Sequence, residues 1–477
     1  MFRNSMYKYI GIGLIALAYT SCKIPKLVGK TENITTPASY AGVTDSANTA
    51  KVNWREYFAD PNLVALIDTA LKNNQELNIL LQEIEVARNE VRAKKGEYLP
   101  FVGIGAGAGI EKVGRYTSRG AAESNIDIAS GRETPDPLPD YRAAATARWE
   151  VDIWQKLHNA KRAAVKRYLS TMEGRNFAIT NLIAEIANSY YELLALDNQL
   201  ENVKKNIDIQ TNALEIVKYQ KEAARVTELA VRKFEAEVYK TRSMQYDVQQ
   251  KITETENKIN FLLGRYPEPI VRNDAAFNGL IPKTILAGLP AQLLDNRPDI
   301  RQAEMQLAAA KLDVKVAKAK FYPSLGISAS FGYQAFNPAY LIKMPESILF
   351  SLAGDMMAPM VNRNGIKAAY YSANARQIQA AYNYERTILN AYVEVANHVA
   401  KVSNMGKSYE LKAKQVQALT ESIVISNDLF RSTRADYMEV LLTQRDALES
   451  KFELIETKKQ QLNAVVSVYQ ALGGGWK

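Results

Sequence analysis

The chain contains Val91-Arg-Ala-Lys-Lys-Gly-Glu-Tyr-Leu-Pro-Phe-Val-Gly-Ile104 and, 223 residues later, Val314-Lys-Val-Ala-Lys-Ala-Lys-Phe-Tyr-Pro-Ser-Leu-Gly-Ile327. Each copy has a charged helical stretch, a proline, and then a segment of small residues. Two shorter matches support the duplication: Asn188–Leu193 with Asn390–Val395, and Leu262–Gly264 with Ala471–Gly473. Copies longer than 200 residues are too large to be solenoid units. We therefore predict two similar halves placed side by side.

The segments that follow each proline alternate between two kinds of residue. In the first, apolar residues alternate with Gly103, Gly105, Gly107 and Gly109, and similar runs lie near Ala145–Ile153, Leu325–Tyr333 and Ile348–Leu352. This alternation indicates half-buried strands, because successive side chains of a strand point to opposite faces. The first three runs reach the ~9–11 residues that a tilted strand needs to cross a bilayer, and the last run is less regular. Two soluble hairpins packed on a helix remain an alternative.

Four strands are too few to close a barrel, and an open edge in lipid leaves backbone groups unpaired. If the strands span a membrane, several copies must therefore share one barrel. Eight strands from two copies would leave an interior filled by side chains, whereas twelve from three copies would leave room for a conduit. This argument favours a trimer.

Most of the remaining chain is predicted to be long helix. Residues 156–265 lack proline, and apolar residues recur there at steps of three and four, interrupted by Gln210. That spacing is close to a coiled-coil repeat. A helix of about 60 residues would be roughly 90 Å long, which exceeds what a globular domain needs. The fold class is therefore α+β, mostly α.

The N-terminus carries an export signal. Arg3 and Lys8 precede a short apolar run, and the small residues Thr20 and Ser21 precede Cys22, the only cysteine. The arrangement resembles a bacterial lipobox, which implies a lipid-anchored Cys22; the alternative is an ordinary signal peptide with an incidental cysteine. One cysteine and two histidines cannot form a His/Cys metal site. We expect no cofactor, no metal and no enzymatic activity, and the intermixed charges predict no nucleic-acid binding.

The most specific motif is Gly288-Leu-Pro-Ala-Gln-Leu-Leu-Asp-Asn-Arg-Pro-Asp-Ile-Arg-Gln-Ala-Glu-Met-Gln-Leu307. With the duplication, Trp149–Trp154 and Tyr437–Leu441, it resembles the TolC-like outer-membrane efflux protein family, specifically its lipoprotein (NodT-type) branch. The resemblance implies a homotrimer with a 12-stranded outer-membrane barrel and a helical periplasmic barrel. It also implies outer-membrane localisation and docking to a periplasmic adaptor (membrane fusion) protein and an inner-membrane pump.

Within this motif the residue types suggest structural roles. Pro290 and Pro298 would punctuate the crossover between the halves and set the start of the next helix. Asp299 would lie in the first helical turn, where a carboxylate favours the helix dipole. Arg297 and Glu304 are expected to form an ion pair.

A gate is expected where the long helices of each half turn back, at 225–228 and 433–437. In related proteins, ionic and aromatic contacts at these tips close the aperture. The candidates in this chain are Arg225, Glu228, Arg434, Asp436 and Tyr437, with ordinary solvated hairpin residues as the alternative.

These expectations define a passive efflux channel for small molecules. A protein-secretion duct of the same fold and a lipid-anchored periplasmic coiled-coil adaptor without a pore are the alternatives. The predicted regions of the first half are a signal peptide (1–21), a lipid-anchored linker (22–54), a helix (55–97), a transmembrane hairpin (98–155) and long helices (156–265). A crossover linker (266–296) leads to the second half, which has a helix (297–321), a transmembrane hairpin (322–362) and long helices (363–477).

Overall fold

A computed structural model describes residues 24–40, 47–273, 277, 279–280, 286–432 and 434–476. The chain forms two compact units. The first contains the described parts of 1–31, 85–169 and 305–382, and the second those of 32–84, 170–304 and 383–477.

Helices dominate the described chain. In order, the elements are α1 (Trp54–Tyr57), α2 (Pro61–Asn73), α3 (Gln75–Tyr98), β1 (Phe101–Glu111), α4 (Ser118–Glu123), β2 (Asp127–Ala129), β3 (Arg132–Glu133), β4 (Leu138–Val151), α5 (Lys156–Glu222), α6 (Glu228–Leu262), α7 (Leu293–Asn296), α8 (Pro298–Ala319), β5 (Ser324–Ala335), β6 (Ile348–Met357), α9 (Asn364–Arg431) and α10 (Tyr437–Ala471). Short 3-10 turns cover Thr49–Lys51, Pro290–Gln292 and Pro338–Tyr340.

The first unit is built on one antiparallel sheet of order β1-β4-β5-β6. Phe101 pairs with Arg148 at one end of β1 and Glu111 with Leu138 at the other, while Trp149 pairs with Ile327 across β4 and β5. The two hairpins predicted from the alternation are therefore joined into one sheet through β4 and β5. The connection from β1 to β4 carries α4 and the small β2–β3 hairpin.

The long helices are longer than the sequence predicted. α5 has 67 residues and α9 has 68, so each is roughly 100 Å long at about 1.5 Å per residue. α6 and α10 each have 35 residues. Among the described residues, no helix combines the length and apolar character needed to cross a bilayer.

The main core of the second unit lies where α2 packs against the long helices. It includes Leu63 and Ile67 of α2, Ile186 and Leu193 of α5, and Val466 of α10. The buried side chains recur at helical spacing, which explains why each helix presents a continuous apolar face to this core.

The duplication is visible in how the two halves end. Gly264 after α6 and Gly473 after α10 have positive φ angles of 71° and 84°, a conformation that glycine adopts without strain. Asn74 Nδ2 donates to the Leu262 carbonyl at 2.9 Å, and at the corresponding place Arg297 Nη1 donates to the Ala471 carbonyl at 2.8 Å.

The helix ends correct one of the matches drawn from the sequence. α5 and α9 end at Glu222 and Arg431, a difference of 431 − 222 = 209, and α6 and α10 begin at residues that differ by the same amount. Asn188 therefore corresponds to Asn397, not to Asn390. The match from sequence was wrong by seven residues, because a shift of one heptad leaves every side chain on the same helix face.

Candidate functional site

The register of the sheet gives it one apolar and one polar face. Residues paired across neighbouring strands point to the same side, so Ile104, Ala145 and their paired neighbours form the apolar face. Its large side chains are mostly exposed, as in Ile104, Phe350 and Leu352. An exposed continuous apolar face is what a lipid-facing strand surface requires.

The polar face is lined mainly by small residues. β1 contributes glycines, and β5 contributes Ser328 and Ser330. Across this face Arg142 Nη2 donates to Ser330 Oγ at 3.0 Å, and Gln334 Nε2 donates to Asp140 Oδ1 at 2.8 Å. A thin polar wall of this kind suits the water-facing side of a conduit.

Aromatic side chains mark both ends of the strands. At one end Trp149 Nε1 donates to the Tyr98 carbonyl at 3.1 Å, and the Trp154 ring stacks on Tyr322 with centroids 4.5 Å apart. At the other end Phe336 and Tyr340 meet edge to face at 5.3 Å. Aromatic belts at both interfaces are typical of membrane-spanning strands.

The two helical tips in the second unit share a groove of about 350 Å³. It brings Arg225, Asp436 and Tyr437 together, three of the five predicted gate residues. Its floor is apolar: Val226 and Phe430 pack on a cluster that includes Leu214, Phe234 and Leu441. The sequence analysis did not single out this floor, although its members follow the helical spacing of the core.

The other two gate candidates have different surroundings. Glu228 forms ion pairs with Lys221 at 2.5 Å and with Arg232 at 2.9 Å, and the hydrogen bond from Lys221 is the main cause that holds the pKa of Glu228 below its usual value. The Arg434 backbone amide donates to the Leu429 carbonyl at 2.8 Å and closes the turn. Thr433, beside it, lies outside the described residues. Lys221 and Arg232 are charged residues that the sequence analysis missed.

The signature motif builds an ionic cluster around the buried side chain of Arg297. Pro290 starts a 3-10 turn, Pro298 is the first residue of α8, and Asp299 lies in the first turn of α8. Arg297 binds both carboxylate oxygens of Asp299, at 2.9 and 2.7 Å, and Glu394 at 2.8 Å.

The expected ion pair between Arg297 and Glu304 is wrong. Glu304 is exposed on α8, seven residues and therefore about two helical turns beyond Arg297. Arg297 lies at the end of α7, and its side chain turns to the C-terminus of α10 instead. Burial lowers the pKa of the guanidinium, but Asp299 and Glu394 outweigh it, so the net shift of the Arg297 pKa is upward.

Cys22 lies outside the described residues. Within the first unit, Ile24 and Leu27 lie against a buried cluster that includes Phe321 and Tyr370. Farther along, Asn374 Nδ2 donates to the Val28 carbonyl at 3.0 Å. Residues 24–28 are thus held along the start of α9.

These features define a membrane-inserted conduit protein with long helical hairpins. A family model described as outer membrane efflux protein matches residues 66–265 and 289–474. The chain belongs to this family. It is an outer-membrane efflux channel that extends into the periplasm, and the family is one of channels rather than enzymes.

Individual relatives agree with this placement. The chain is 27% identical over 437 residues to the pyoverdine export outer membrane protein OpmQ of Pseudomonas aeruginosa, covering 92% of this chain and 90% of the relative. It is 25% identical to the cation efflux system protein CusC of Escherichia coli O6:H1, covering 97% and 98%. The open-state MtrE channel of Neisseria gonorrhoeae has the same fold, with a TM-score of 0.82 at 22% identity and coverage of 96% and 99%.

Proposed function

We propose that this channel is the outer-membrane part of a tripartite efflux system. It receives small molecules from a periplasmic adaptor and an inner-membrane pump and conducts them passively to the outside, with no catalytic step and no cofactor of its own. The observation that carries the proposal is the two-faced sheet. One face is apolar and exposed, as a lipid-facing surface requires, and the other is polar and lined mainly by small residues. The names of the relatives specify different cargoes, pyoverdine and cations, so they favour small molecules as a class.

The assembly is proposed to be a homotrimer. The sheet has four strands, and β1 and β6 lie at its two edges. Edge strands in lipid require partners, because unpaired backbone groups are costly there. Pairing β1 of one copy with β6 of the next in a ring of three copies gives twelve strands, enough for an open interior.

The lipid on Cys22 is proposed to hold the N-terminus at the membrane. The support is the packing of Ile24 and Leu27 on the unit that contains the sheet. Mass spectrometry of the mature N-terminal peptide should find an acylated Cys22, and Cys22→Ser should abolish the acylation. An unmodified thiol in the mature wild-type protein would contradict this proposal.

The periplasmic gate is proposed to lie at the helical tips, with Arg225, Glu228, Arg434, Asp436 and Tyr437 contributing the closing contacts. The support is the groove that gathers Arg225, Asp436 and Tyr437 over an apolar floor. The same groove offers charged and aromatic side chains to the adaptor, so we propose docking there.

The double variant Arg434→Ala/Asp436→Ala tests the gate. It should raise the open probability in planar bilayers, because the closed tips lose two charged side chains. The matched control is Glu201→Ala/Lys205→Ala, which removes an exposed ion pair on α5 and should leave the open probability unchanged. Equal behaviour of the two double variants would count against the gate.

The proposal as a whole is tested by single-channel recording of the detergent-purified protein, with its mass measured in the same detergent. A trimer that gives discrete pores supports a trimeric conduit. A monomer without conductance would contradict it and favour a lipid-anchored adaptor without a pore. Conduction of an unfolded polypeptide would favour a protein-secretion duct.

A further inference from the structure

The positive charge of the chain is concentrated beside the sheet. Residues 156–169, 305–323 and 358–382 are the parts of α5, α8 and α9 in the first unit, together with the turns that join α8 to β5 and β6 to α9. They contain twelve basic residues and one acidic residue, Asp313, which is a net charge of +11. The whole chain carries +9, so all other residues together sum to −2. We call these three ranges the basic segments.

The basic segments lie at the periplasmic end of the sheet. β4 ends at Val151 and α5 begins at Lys156, while α8 ends at Ala319 and β5 begins at Ser324. The long helices therefore leave the sheet at this end. The end of α3, which leads into β1, is closer to balance, because residues 85–98 carry four basic and three acidic side chains. The excess of positive charge thus lies next to β4, β5 and β6.

A pocket of about 270 Å³ opens at the same end of the sheet. One wall is the stacked pair of Trp154 and Tyr322, whose ring centroids are 4.5 Å apart. Trp154 Nε1 donates to the Pro323 carbonyl at 2.7 Å, which fixes the indole ring beside the start of β5. Ile153 and Met357 also line the pocket, and both are more than half exposed. The pocket therefore combines an aromatic wall with exposed aliphatic side chains.

One cation of this pocket is left without a carboxylate. Lys156 forms an ion pair with Glu150. The Asp152 carboxylate is 3% exposed and accepts hydrogen bonds from two backbone amides at the start of α5. Lys320 is exposed and lines the pocket, and within the part of the chain that the structure describes it forms no ion pair. The pocket can therefore accept one negative charge.

We propose that this pocket binds an anionic phospholipid of the periplasmic leaflet. The lipid phosphate faces the Lys320 ammonium, and the glycerol backbone lies against the rings of Trp154 and Tyr322. Tryptophan and tyrosine favour this depth of a bilayer because one end of each ring is apolar and the other is polar. This inference goes beyond conduction, because it gives the channel a specific lipid ligand.

The basic segments select the charge of the headgroup. Clustered basic side chains beside a bilayer attract anionic lipids. A zwitterionic headgroup carries an ammonium as well as a phosphate, and the net charge of +11 on the basic segments repels that ammonium. A headgroup with a net negative charge, such as phosphatidylglycerol, is therefore favoured over phosphatidylcholine.

The position of the pocket favours a lipid over a free anion. The apolar face of the sheet reaches this end at Leu325, which pairs with Met356, and Met356 is 70% exposed. A phospholipid whose acyl chains cover this face brings its headgroup to the pocket. A free phosphate could contact Lys320 but would leave the aromatic wall uncovered.

Native mass spectrometry of the full-length protein in detergent measures this binding. Titrations with phosphatidylglycerol and with phosphatidylcholine of the same acyl chains should show tighter binding of phosphatidylglycerol, and added ammonium acetate should weaken the preference. Lys320→Gln should reduce the preference about fivefold, the effect of one basic side chain near an anionic surface. Lys320→Arg keeps the charge and should retain most of the preference.

Lys204→Gln is the matched control. Lys204 is an exposed lysine of α5 outside the basic segments, so this variant removes the same charge without changing the pocket. It should bind both lipids as the wild type does. Both glutamine variants should keep the wild-type midpoint of thermal unfolding, because both lysines are exposed. Inorganic phosphate, added as its ammonium salt in excess over the lipid, should not displace the lipid.

The outcomes separate the lipid site from the proposed function. A preference for phosphatidylglycerol that Lys320→Gln reduces and Lys204→Gln does not supports the site. Equal binding of the two lipids, or equal losses in the two glutamine variants, would overturn it. Displacement by inorganic phosphate would also overturn it and indicate a site for a free anion. Discrete pores in bilayers from a preparation that binds both lipids equally would overturn the lipid site and leave the channel intact.

Discussion

Replacing Arg297 should destabilise the second unit far more than replacing the residue first expected to pair with it. The Arg297 side chain is 6% exposed and makes two hydrogen bonds to Asp299, one to Glu394 and one to the Ala471 carbonyl. Arg297→Ala would leave the Asp299 carboxylate and the end of α10 without their buried donor.

The expected loss of folding free energy in Arg297→Ala follows from how exposed each partner of Arg297 is. Removing one member of a buried ion pair costs about 3–5 kcal/mol. Glu394 is 51% exposed, so its share should stay below about 1 kcal/mol. Most of the loss should therefore come from Asp299 and the Ala471 carbonyl. Arg297→Lys should recover only part of it, because an ammonium cannot make the two-pronged contact with Asp299.

Thermal unfolding in detergent, followed by tryptophan fluorescence, measures this effect. Trp476 Nε1 donates to the Asn296 carbonyl at 3.2 Å, so its ring reports on the structure beside Arg297. The midpoint should fall most for Arg297→Ala, less for Arg297→Lys, and little for Glu394→Gln or Glu304→Ala. Equal midpoints for Arg297→Ala and Glu304→Ala would refute the reasoning.

Three further predictions concern packing, the sheet and pH. Among the described residues the buried side-chain amides of Gln210 and Gln444 have no hydrogen-bond partner; Gln210→Leu and Gln444→Leu should each raise the free energy of unfolding by about 1–2 kcal/mol, and a lower denaturation midpoint would contradict this. A Cβ on Gly332 would lie 2.2 Å from the Ala143 carbonyl oxygen, whereas one on Gly105 meets nothing within 4 Å. Gly332→Ala, unlike Gly105→Ala, should therefore lower the midpoint of thermal unfolding in detergent. Burial lowers the pKa of His398 in the folded state, so the unfolded chain takes up the proton first as pH falls below about 6.5. The free energy of unfolding should therefore decrease between pH 7.5 and pH 5.5, and it should decrease less in His398→Gln. Thermal melts at these pH values measure the difference.

Local patterns in the sequence were enough to predict the kinds of element. Alternation with period two predicted the strands, and apolar spacing of three and four predicted the long helices, because both depend on residues close together in the chain. The helix length was underestimated at about 60 residues, because α5 runs for 67 residues from Lys156 to Glu222 with no proline to end it earlier.

The same periodicity limited what the sequence could show about pairing. A shift of seven residues preserves the buried face of a helix, so the match of Asn188 with Asn390 looked sound although the helix ends require Asn397. The gate residues were predicted as two separate turns, and only the structure joined Arg225 to Asp436 and Tyr437 in one groove.

The sequence by itself determined the duplication, the two-faced strands, the long helices and the family. The tertiary structure decided which charges meet: Arg297 binds Glu394, 97 residues away, in place of Glu304. The physical reason is that element type follows from neighbouring residues, whereas ion pairs and helix registers are chosen by contacts between segments far apart in the chain. No local pattern encodes those distances.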